Sequence, residues 1–234
     1  HEVENPYIEQ VLCEWASYLK NVPELGSSPL KVLHLGGGTP TFLSPKNLKK
    51  LLAPILDATQ RGSQFEGSVE IDPRRTTREH LEVLRELGFN RVSLGVQDID
   101  PEVQRVIHRM QSLEQTLSIT QIARELGYVS VNWDLIYGLP LQTLDKITRT
   151  VEATLEGRPD RIALYSFALV PWIKPQQRIF KDEDLPAGEA KRALYERARE
   201  MLSTEYREIG MDHFALATDG LSVAMDKKTL HRNF

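Results

Sequence analysis

The sequence contains a single cysteine, Cys13, among its 234 residues. One thiol excludes a framework of internal disulfides, and no secretory signal is visible, so a reducing cytoplasm is the expected location. No apolar run is long enough to span a bilayer, so no membrane span is predicted. The six histidines show no metal-ligand spacing such as His-Glu-x-x-His, which argues against a histidine metal site.

The sequence also lacks an excess of basic residues, with a formal net charge of −4 and a pI near 5.9. This balance argues against general binding to nucleic acid or to anionic membranes. The hydrophobic content of 41% and charged content of 26% are typical of globular proteins, and no linker stands out, so residues 1–234 are predicted to form one domain. Because the chain starts at His1 rather than Met and ends at Phe234 without a stop signal, we expect an excerpt of a longer protein.

Apolar, strand-like runs alternate with amphipathic helical segments along the chain. Five strands are predicted, at residues 30–35, 68–71, 91–96, 130–137 and 161–169. The first predicted helix covers 6–19, and the last covers 187–207, beyond a proline-bearing crossing. Ser44 and Thr143 are predicted to cap two of the helices between them. This alternation indicates an α/β fold with a parallel sheet and helical cover, open or closed as a barrel.

The first predicted strand ends in three consecutive glycines, Gly36 to Gly38, followed by Thr39 and Pro40. Glycines at a strand-to-helix turn let backbone N–H and C=O groups approach a ligand with no Cβ in the way. The spacing fits neither the dinucleotide-binding fingerprint nor the phosphate-binding P-loop. Taken alone, the run is also compatible with a loose turn.

Polar side chains mark the ends of the next strands. Strand alternation places Glu70 and Asp72 on one face, and likewise Asn132 and Asp134, while Gln97 ends the strand between them. In parallel βα folds the functional groups lie at the carboxyl ends of the strands. We therefore expect these ends to form a polar pocket suited to a zwitterionic or cationic ligand.

Several of these residues have a plainer alternative role. Glu70 or Asp72 could cap a helix or form an ion pair with Arg74 or Arg75. Arg109, past a short helix, could be a surface cation. These alternatives remain open from the sequence.

The remaining candidate residues could also have purely structural roles, and the sequence favours such a role more for some of them than for others. Gln97 could be a satisfied amide at a strand end. Asp134 interrupts an apolar strand, and a buried carboxylate needs a partner. Cys13 is most simply a small apolar filler on the first helix. Asp212 and His213 could be catalytic, but a structural hydrogen bond is the safer interpretation.

Four motifs carry a resemblance to known proteins, and they occur in the order Gly36-Gly37-Gly38-Thr39-Pro40, Glu70-Ile71-Asp72-Pro73, Gly95-Val96-Gln97-Asp98 and Asp134-Leu135-Ile136-Tyr137-Gly138-Leu139-Pro140. On these motifs the chain resembles the radical S-adenosylmethionine (SAM) superfamily and, within it, the oxygen-independent coproporphyrinogen III oxidases. The second and third motifs, with the stretches 176–178 and 210–214, resemble the oxidases more than their haem-chaperone relatives. Those relatives usually have Asn before the proline and Ser after Val-Gln.

The resemblance implies a partial TIM-like (β/α)6 barrel that holds a 4Fe–4S cluster and SAM, with the first strand missing from this chain. It implies that SAM is bound, in two molecules, by Gly37, Gly38, Thr39, Glu70, Gln97, Arg109, Asp134 and Ala168. The three glycine-turn residues would bind the methionyl end. The chemistry agrees, because carboxylates suit the cationic and hydroxyl groups of SAM and arginine suits its carboxylate.

The activity implied by the resemblance is the oxidative decarboxylation of two propionates of coproporphyrinogen III to vinyls, which gives protoporphyrinogen IX in haem biosynthesis. The implied chemistry uses a 5′-deoxyadenosyl radical and an electron donor. The family's cluster cysteines, spaced Cys-x3-Cys-x2-Cys, precede the first helix and are not in this sequence, and its carboxy-terminal domain is also missing. Cys13 is no substitute because three thiolates are needed. These residues alone are therefore expected to be inactive.

Three alternatives stay open. A haem-binding chaperone could use the same scaffold. An iron-free βα-barrel lyase or aldolase would need a Schiff-base lysine or a metal set at a strand end, and none of the five ends shows one. A non-catalytic fragment is the third.

Overall fold

The computed structural model describes residues 3–230, so the expectation about His1 and Phe234 lies outside the described residues. The helices are α1 Glu4–Asn21, α2 Glu24–Ser27, α3 Pro45–Asp57, α4 Arg78–Glu86, α5 Pro101–Val106, α6 Leu113–Glu125, α7 Leu144–Gly157, α8 Gly188–Leu202 and α9 Gly220–Asp226. The strands are β1 Pro29–Leu35, β2 Gln60–Ile71, β3 Phe89–Gln97, β4 Ser130–Tyr137, β5 Arg161–Ser166, β6 Tyr206–Gly210 and β7 His213–Leu216. Short 3-10 helices cover Pro40–Phe42, Pro175–Ile179 and Asp182–Asp184.

The chain divides into two compact units, which we call unit 1 and unit 2. Unit 1 contains the residues up to Leu94 together with Ser118–Val131, and unit 2 contains Gly95–Leu117 together with the residues from Asn132 onward. Across residues 3–230, every helix is too short or too polar to cross a lipid bilayer.

In unit 1, β1 pairs with β2 and β2 with β3, both in parallel. The register places His34 of β1 opposite Ser68 of β2. Apolar side chains of α1 and α3, including Ile8, Leu48 and Leu52, are almost completely buried. Burial of such side chains is the main source of stability for this unit, at about 1.5–3 kcal/mol for each fully buried aliphatic residue.

A carboxylate from α1 accepts hydrogen bonds from residues at the start of α3. Ser44 occupies the predicted N-cap position, but its hydroxyl does not cap the helix. Instead, the Ser44 N–H and hydroxyl donate to Glu4 Oε2 at 3.0 and 3.2 Å, and Asn47 Nδ2 donates to the same oxygen at 2.7 Å. The predicted N-cap position is therefore correct, but the prediction that the Ser44 side chain caps the helix was wrong, because its hydroxyl donates to the buried Glu4 carboxylate instead of accepting from a first-turn N–H.

In unit 2, β4 pairs in parallel with β5, and β5 pairs antiparallel with β7, which forms a hairpin with β6. The Thr143 cap is confirmed, since its hydroxyl accepts from the Lys146 N–H. Trp133 is fully buried against Gly157 near the end of α7, where an added Cβ would collide with the indole ring. This close approach explains the glycine at that position.

The predicted helix over 187–207 was wrong at its end. The helix stops at Leu202, and Tyr206 begins strand β6. The β6–β7 turn has left-handed backbone at Gly210, Met211 and Asp212, with φ of 104°, 51° and 64°. Pairing of β7 with β5 stabilises this hairpin, and helical periodicity in the sequence gives no sign of that long-range pairing. The fifth predicted strand likewise ends at Ser166 rather than at residue 169.

Candidate functional site

The glycine turn after β1 is open on one side and crowded on the other. A Cβ on Gly36 would lie 2.6 Å from His34 Nε2 and 2.8 Å from Glu70 Oε1. Among residues 3–230, no atom lies within 4 Å of a Cβ built on Gly37 or Gly38, and Gly37 has a φ of +79°. Gly36 is therefore needed for Glu70 to approach the turn, while the described residues leave the space beside the next two glycines open.

This turn lines a cavity of about 430 Å³ in unit 1. The polar part of the lining is His34 and the backbone from Gly36 to Thr39, and the apolar part includes Leu35 and Phe42. The volume lies within the ~300–1,000 Å³ range of small-molecule sites. An apolar wall with exposed backbone groups suits a ligand that is polar at one end.

Glu70 is held beside the turn by one neighbour on β1. His34 Nδ1 lies 2.8 Å from Ser68 Oγ, and His34 Nε2 lies 3.4 Å from Glu70 Oε1. The side chains of His34 and Glu70 are 52% and 42% exposed. Within residues 3–230, His34 is the sole polar partner of the Glu70 carboxylate. Most of the hydrogen-bonding capacity of that carboxylate is thus available to a ligand.

Asp72 has a different role, although it shares a strand face with Glu70 in the sequence pattern. Arg74 donates to both of its carboxylate oxygens, with Nε–Oδ1 at 2.9 Å and Nη2–Oδ2 at 2.6 Å. The hydrogen bonds to Asp72 raise the pKa of Arg74. The ion-pair alternative is therefore confirmed for Asp72, which is buried, but not for Glu70.

In unit 2, the structure brings Gln97 and Arg109 together over Gly95. Arg109 Nη2 donates to the Gly95 carbonyl at 2.9 Å. A Cβ on Gly95 would lie 2.8 Å from Arg109 Nη2 and 3.1 Å from Gln97 Nε2. Arg109 is half-buried and bonded to a strand end, so the interpretation of Arg109 as a surface cation was wrong.

Gln97 has a strained backbone and an available amide. Its φ of +69° is in the left-handed region, which is uncommon for a residue with a Cβ. Within the part of the chain that the structure describes, the Gln97 side chain makes no hydrogen bond, so the satisfied-amide alternative was wrong. Strained residues of this kind cluster at ligand sites, where the surrounding structure must hold them in place.

The residue after Gln97 provides that support. Asp98 is completely buried, and it accepts hydrogen bonds from the Asp100 N–H at 2.7 Å, Gln142 Nε2 at 2.6 Å and Thr150 Oγ1 at 2.9 Å. Burial raises the pKa of the Asp98 carboxyl, although these three hydrogen bonds each act to lower it. Sequence reasoning missed this cluster beyond Asp98, because Gln142 and Thr150 have no local pattern that predicts burial.

A second buried amide fixes the segment that leads to Arg109. Gln104 Nε2 donates to the carbonyls of Asp98 and Gln111, each at 2.8 Å, and its Oε1 accepts from the Gln111 N–H at 3.1 Å. The Arg109 N–H also donates to the Gln104 carbonyl at 2.8 Å. Gln97 and Arg109 are therefore both anchored through the same buried polar cluster.

The other two predicted site residues of unit 2 lie at β4 and after β5. Asn132 Nδ2 donates to Asp134 Oδ1 at 2.8 Å, which confirms that the two side chains share a strand face. Ala168 is exposed, and its carbonyl accepts from Gln177 Nε2 at 3.1 Å. Convergence of these residues with those of unit 1 on one pocket stays a prediction.

The Asp212–His213 pair serves the β6–β7 hairpin. His213 Nδ1 contacts the Met211 carbonyl at 2.6 Å, and its ring packs edge-on against Tyr165. The Asp212 carbonyl accepts from the Leu164 N–H at 2.8 Å. These contacts support the structural interpretation of the pair.

The two implied cofactors fit this chain differently. The glycine turn with Glu70 offers the open backbone and the carboxylate that SAM would require. A 4Fe–4S cluster needs cysteine thiolates, and Cys13 is the single cysteine of the sequence. The prediction that Cys13 is an apolar filler was wrong, because its thiol is exposed on α1. No group of three or more metal-ligating side chains that could hold a metal ion occurs within residues 3–230. The residues of this chain therefore do not fit the cluster.

Comparison with known proteins gives consistent results. The family model described as Radical SAM superfamily matches residues 14–154. The oxygen-independent coproporphyrinogen III oxidase of Pseudomonas aeruginosa is 48% identical over 206 residues, which cover 86% of this chain and 45% of that protein. The protein of the same name from Helicobacter pylori strain J99 is 41% identical over 235 residues, covering 97% and 51% respectively. This chain thus spans about half the length of the curated relatives it matches.

A solved structure, coproporphyrinogen III oxidase from Escherichia coli, described as a Radical SAM enzyme, superposes with a TM-score of 0.91 at 38% identity. The match covers 97% of this chain and 53% of that one. The predicted α/β fold, a partial TIM-like core of this type, is confirmed.

Proposed function

This chain belongs to the Radical SAM superfamily, and from that membership we propose that its residues are the SAM-binding core of an oxygen-independent coproporphyrinogen III oxidase. The proposal is supported by the glycine turn, by the strand-end motifs and by the relatives that bear this name. The protein would act in the cytoplasm and take reducing equivalents from an external electron donor.

The proposed reaction converts two propionates of coproporphyrinogen III to vinyl groups. Each propionate loses one hydrogen atom from the carbon next to the pyrrole to the abstracting radical, and then loses CO₂ and transfers one electron to an external acceptor, so that a carbon–carbon double bond remains. When bound, SAM supplies the hydrogen-abstracting chemistry of the superfamily. The 4Fe–4S cluster that the family also uses would need cysteines that this sequence does not contain. The residues of this chain would bind and orient SAM, and they would exclude water from the site.

The observation that carries the proposal is the open backbone of Gly37 and Gly38 beside the available carboxylate of Glu70. We assign the methionyl end of SAM to the backbone of Gly37, Gly38 and Thr39. Glu70 would accept hydrogen bonds from the cationic or hydroxyl groups of the same ligand, which are stronger than bonds between neutral groups.

The residues of unit 2 have further proposed roles. Arg109 suits a carboxylate, since guanidinium groups donate in a planar fork. Gln97 offers an amide without a side-chain partner in the described residues, and Asp134 offers a carboxylate on β4. Ala168 would contribute backbone contacts. Some of these contacts would belong to a second SAM molecule.

The test uses the product of the complete reading frame that contains these residues, purified without oxygen. With SAM, a reductant and coproporphyrinogen III, we expect vinyl-bearing products in liquid chromatography with fluorescence detection, and none when SAM is omitted. Stoichiometric haem binding without consumption of coproporphyrinogen III would contradict the oxidase and indicate the haem-chaperone activity.

A further inference from the structure

The crossing after β5 exposes large apolar side chains. We call residues 170–180 the strap. Within it, Trp172, Ile173 and Ile179 are 73%, 65% and 57% exposed. Single exposed apolar residues are common, but three within eight positions, one of them an indole, are typical of a surface that contacts another molecule.

The strap has a defined shape. Gln177 Oε1 accepts from the Val170 N–H at 2.6 Å, and Gln177 Nε2 donates to the Ala168 carbonyl at 3.1 Å. The N–H groups of Ile173 and Lys174 both donate to the Val170 carbonyl, at 2.9 and 2.8 Å. These bonds close the strap into consecutive turns, so its apolar side chains are presented by an ordered backbone.

The strap follows the carboxyl end of β5 after a connection of three residues, 167–169. The Phe167 N–H donates to the Tyr137 carbonyl at the end of β4, at 2.8 Å, and Phe167 packs edge-on against Phe180. Ala168, whose carbonyl Gln177 holds, is one of the residues assigned above to SAM. In folds of this kind, substrates bind at the carboxyl ends of the strands.

Two cations lie among the apolar side chains. Lys174 and Arg178 are exposed, and neither forms an ion pair within residues 3–230. The acidic segment that follows is partly engaged, because Glu183 pairs with Lys181 at 3.3 Å and Asp184 accepts from the Lys181 N–H at 3.1 Å. Asp182, the acidic residue closest in sequence to the strap, is exposed, and its carboxylate forms no ion pair within residues 3–230.

We propose that the strap is a binding surface for coproporphyrinogen III, an apolar macrocycle that carries carboxylates. Trp172, Ile173 and Ile179 would contact the macrocycle, and Lys174 and Arg178 would pair with propionates that are not undergoing reaction. The inference rests on the proposed function and deepens it, since it names the part of the chain that recognises the substrate.

The test compares variants of the complete protein in the absence of oxygen. The charge variant combines Lys174→Gln with Arg178→Gln, and the apolar variant is Trp172→Ala. Lys227→Gln and Val223→Ala, on exposed positions of the α9 region, are matched controls. Fluorescence titration with coproporphyrin III, a stable oxidised probe, gives the Kd, and calorimetry gives the affinity for SAM.

We expect the charge variant to raise the Kd for coproporphyrin III and the KM for coproporphyrinogen III about tenfold, as loss of charge-assisted bonds predicts. The apolar variant should raise both constants, and SAM affinity should stay unchanged. Binding of the wild type should also weaken with added salt, and this salt dependence should be smaller in the charge variant.

Unchanged constants in both variants, with an active wild type, would overturn the strap proposal and leave the proposed function intact. A lower unfolding temperature of Trp172→Ala with an unchanged KM would also overturn it, since the strap would then be covered by polypeptide. A wild type that neither binds coproporphyrin III nor consumes coproporphyrinogen III would overturn the proposed function itself.

Discussion

Gln142 Nε2 donates a hydrogen bond of 2.6 Å to Asp98 Oδ2, and both side chains are buried. The Oε1 of the same amide accepts from the Gly138 N–H at 2.6 Å. One side chain therefore joins the residue after β3 to the turn after β4. Because Gln97 precedes Asp98 and has a left-handed backbone, this contact helps to fix a strained residue at a proposed ligand site.

Asp98→Asn should destabilise the protein by about 2 kcal/mol, because an NH₂ group would replace one of two oxygens that accept hydrogen bonds in a buried site. Urea unfolding of the complete protein measures the change, with the exposed Asp182→Asn as control. An unfolding free energy equal to that of the wild type would show that the cluster contributes nothing to stability.

Glu4→Gln should remove part of the pH dependence of stability. Hydrogen bonds from Asn47 and Ser44 lower the pKa of the Glu4 carboxyl below its ordinary value of 4.5. The stabilisation is therefore complete above that value and is lost as the pH falls through it toward the native pKa, since the unfolded chain takes up the proton first. The difference in unfolding free energy between wild type and Glu4→Gln should shrink below about pH 4.5; a constant difference from pH 7 to pH 3 would contradict this role.

Gly36→Ala should weaken SAM binding, because the new methyl group would displace His34 and Glu70 from the turn. We expect a loss of about tenfold in affinity by calorimetry, which is the size of one lost charge-assisted hydrogen bond. Gly26→Ala is the matched control, since a Cβ there would meet its neighbours at ordinary distances of 3.5 and 3.8 Å. Equal affinities for both variants would remove the turn from the site.

Glu70→Ala should weaken SAM binding without a comparable loss of stability, because the side chain is 42% exposed and its one polar contact within residues 3–230 is with His34, at 3.4 Å. Glu79→Ala, which removes an exposed carboxylate of α4, serves as the control. Calorimetry measures the Kd for SAM, and a Kd equal to that of the wild type would exclude Glu70 from the site.

Asp134→Asn should reduce turnover of coproporphyrinogen III. The substitution keeps the size of the side chain and removes the charge that would interact with cationic groups of SAM. Anaerobic product formation, measured beside the unfolding temperature, separates loss of function from loss of fold. A stable variant with normal vinyl formation would show that Asp134 has no role in the reaction.

The sequence predicted β4 with its observed bounds, because an apolar run there ends at Gly138, which has a φ of +82°. It did not predict that β2 begins at Gln60, since Phe65 is the one large apolar residue among residues 60–67 and gives no alternating pattern. The end of α8 was missed for a related reason. Pairing of β7 with β5 decides that region, and such pairing is invisible to local periodicity.

The residues of the candidate site were likewise predicted only in part from the sequence. The motifs placed Glu70, Gln97 and Asp134 at strand ends, and the structure has Glu70 and Gln97 there, whereas Asp134 lies three residues before the end of β4. Gln104 and Gln142 were missed, because an amide in a polar segment looks like a surface residue until the fold buries it. Whether residues 1–234 form a single domain stays a prediction.

Gln177 holds the chain on both sides of Leu169 with a single amide group. Its carbonyl oxygen accepts from the N–H of Val170, one residue after that leucine, and its NH₂ group donates to the carbonyl of Ala168, one residue before it. Movement of the strap away from β5 must therefore break both bonds together or carry the Ala168 carbonyl along. While both bonds are intact, a group that reaches the strap from solvent therefore meets a surface that moves only together with the backbone that follows β5.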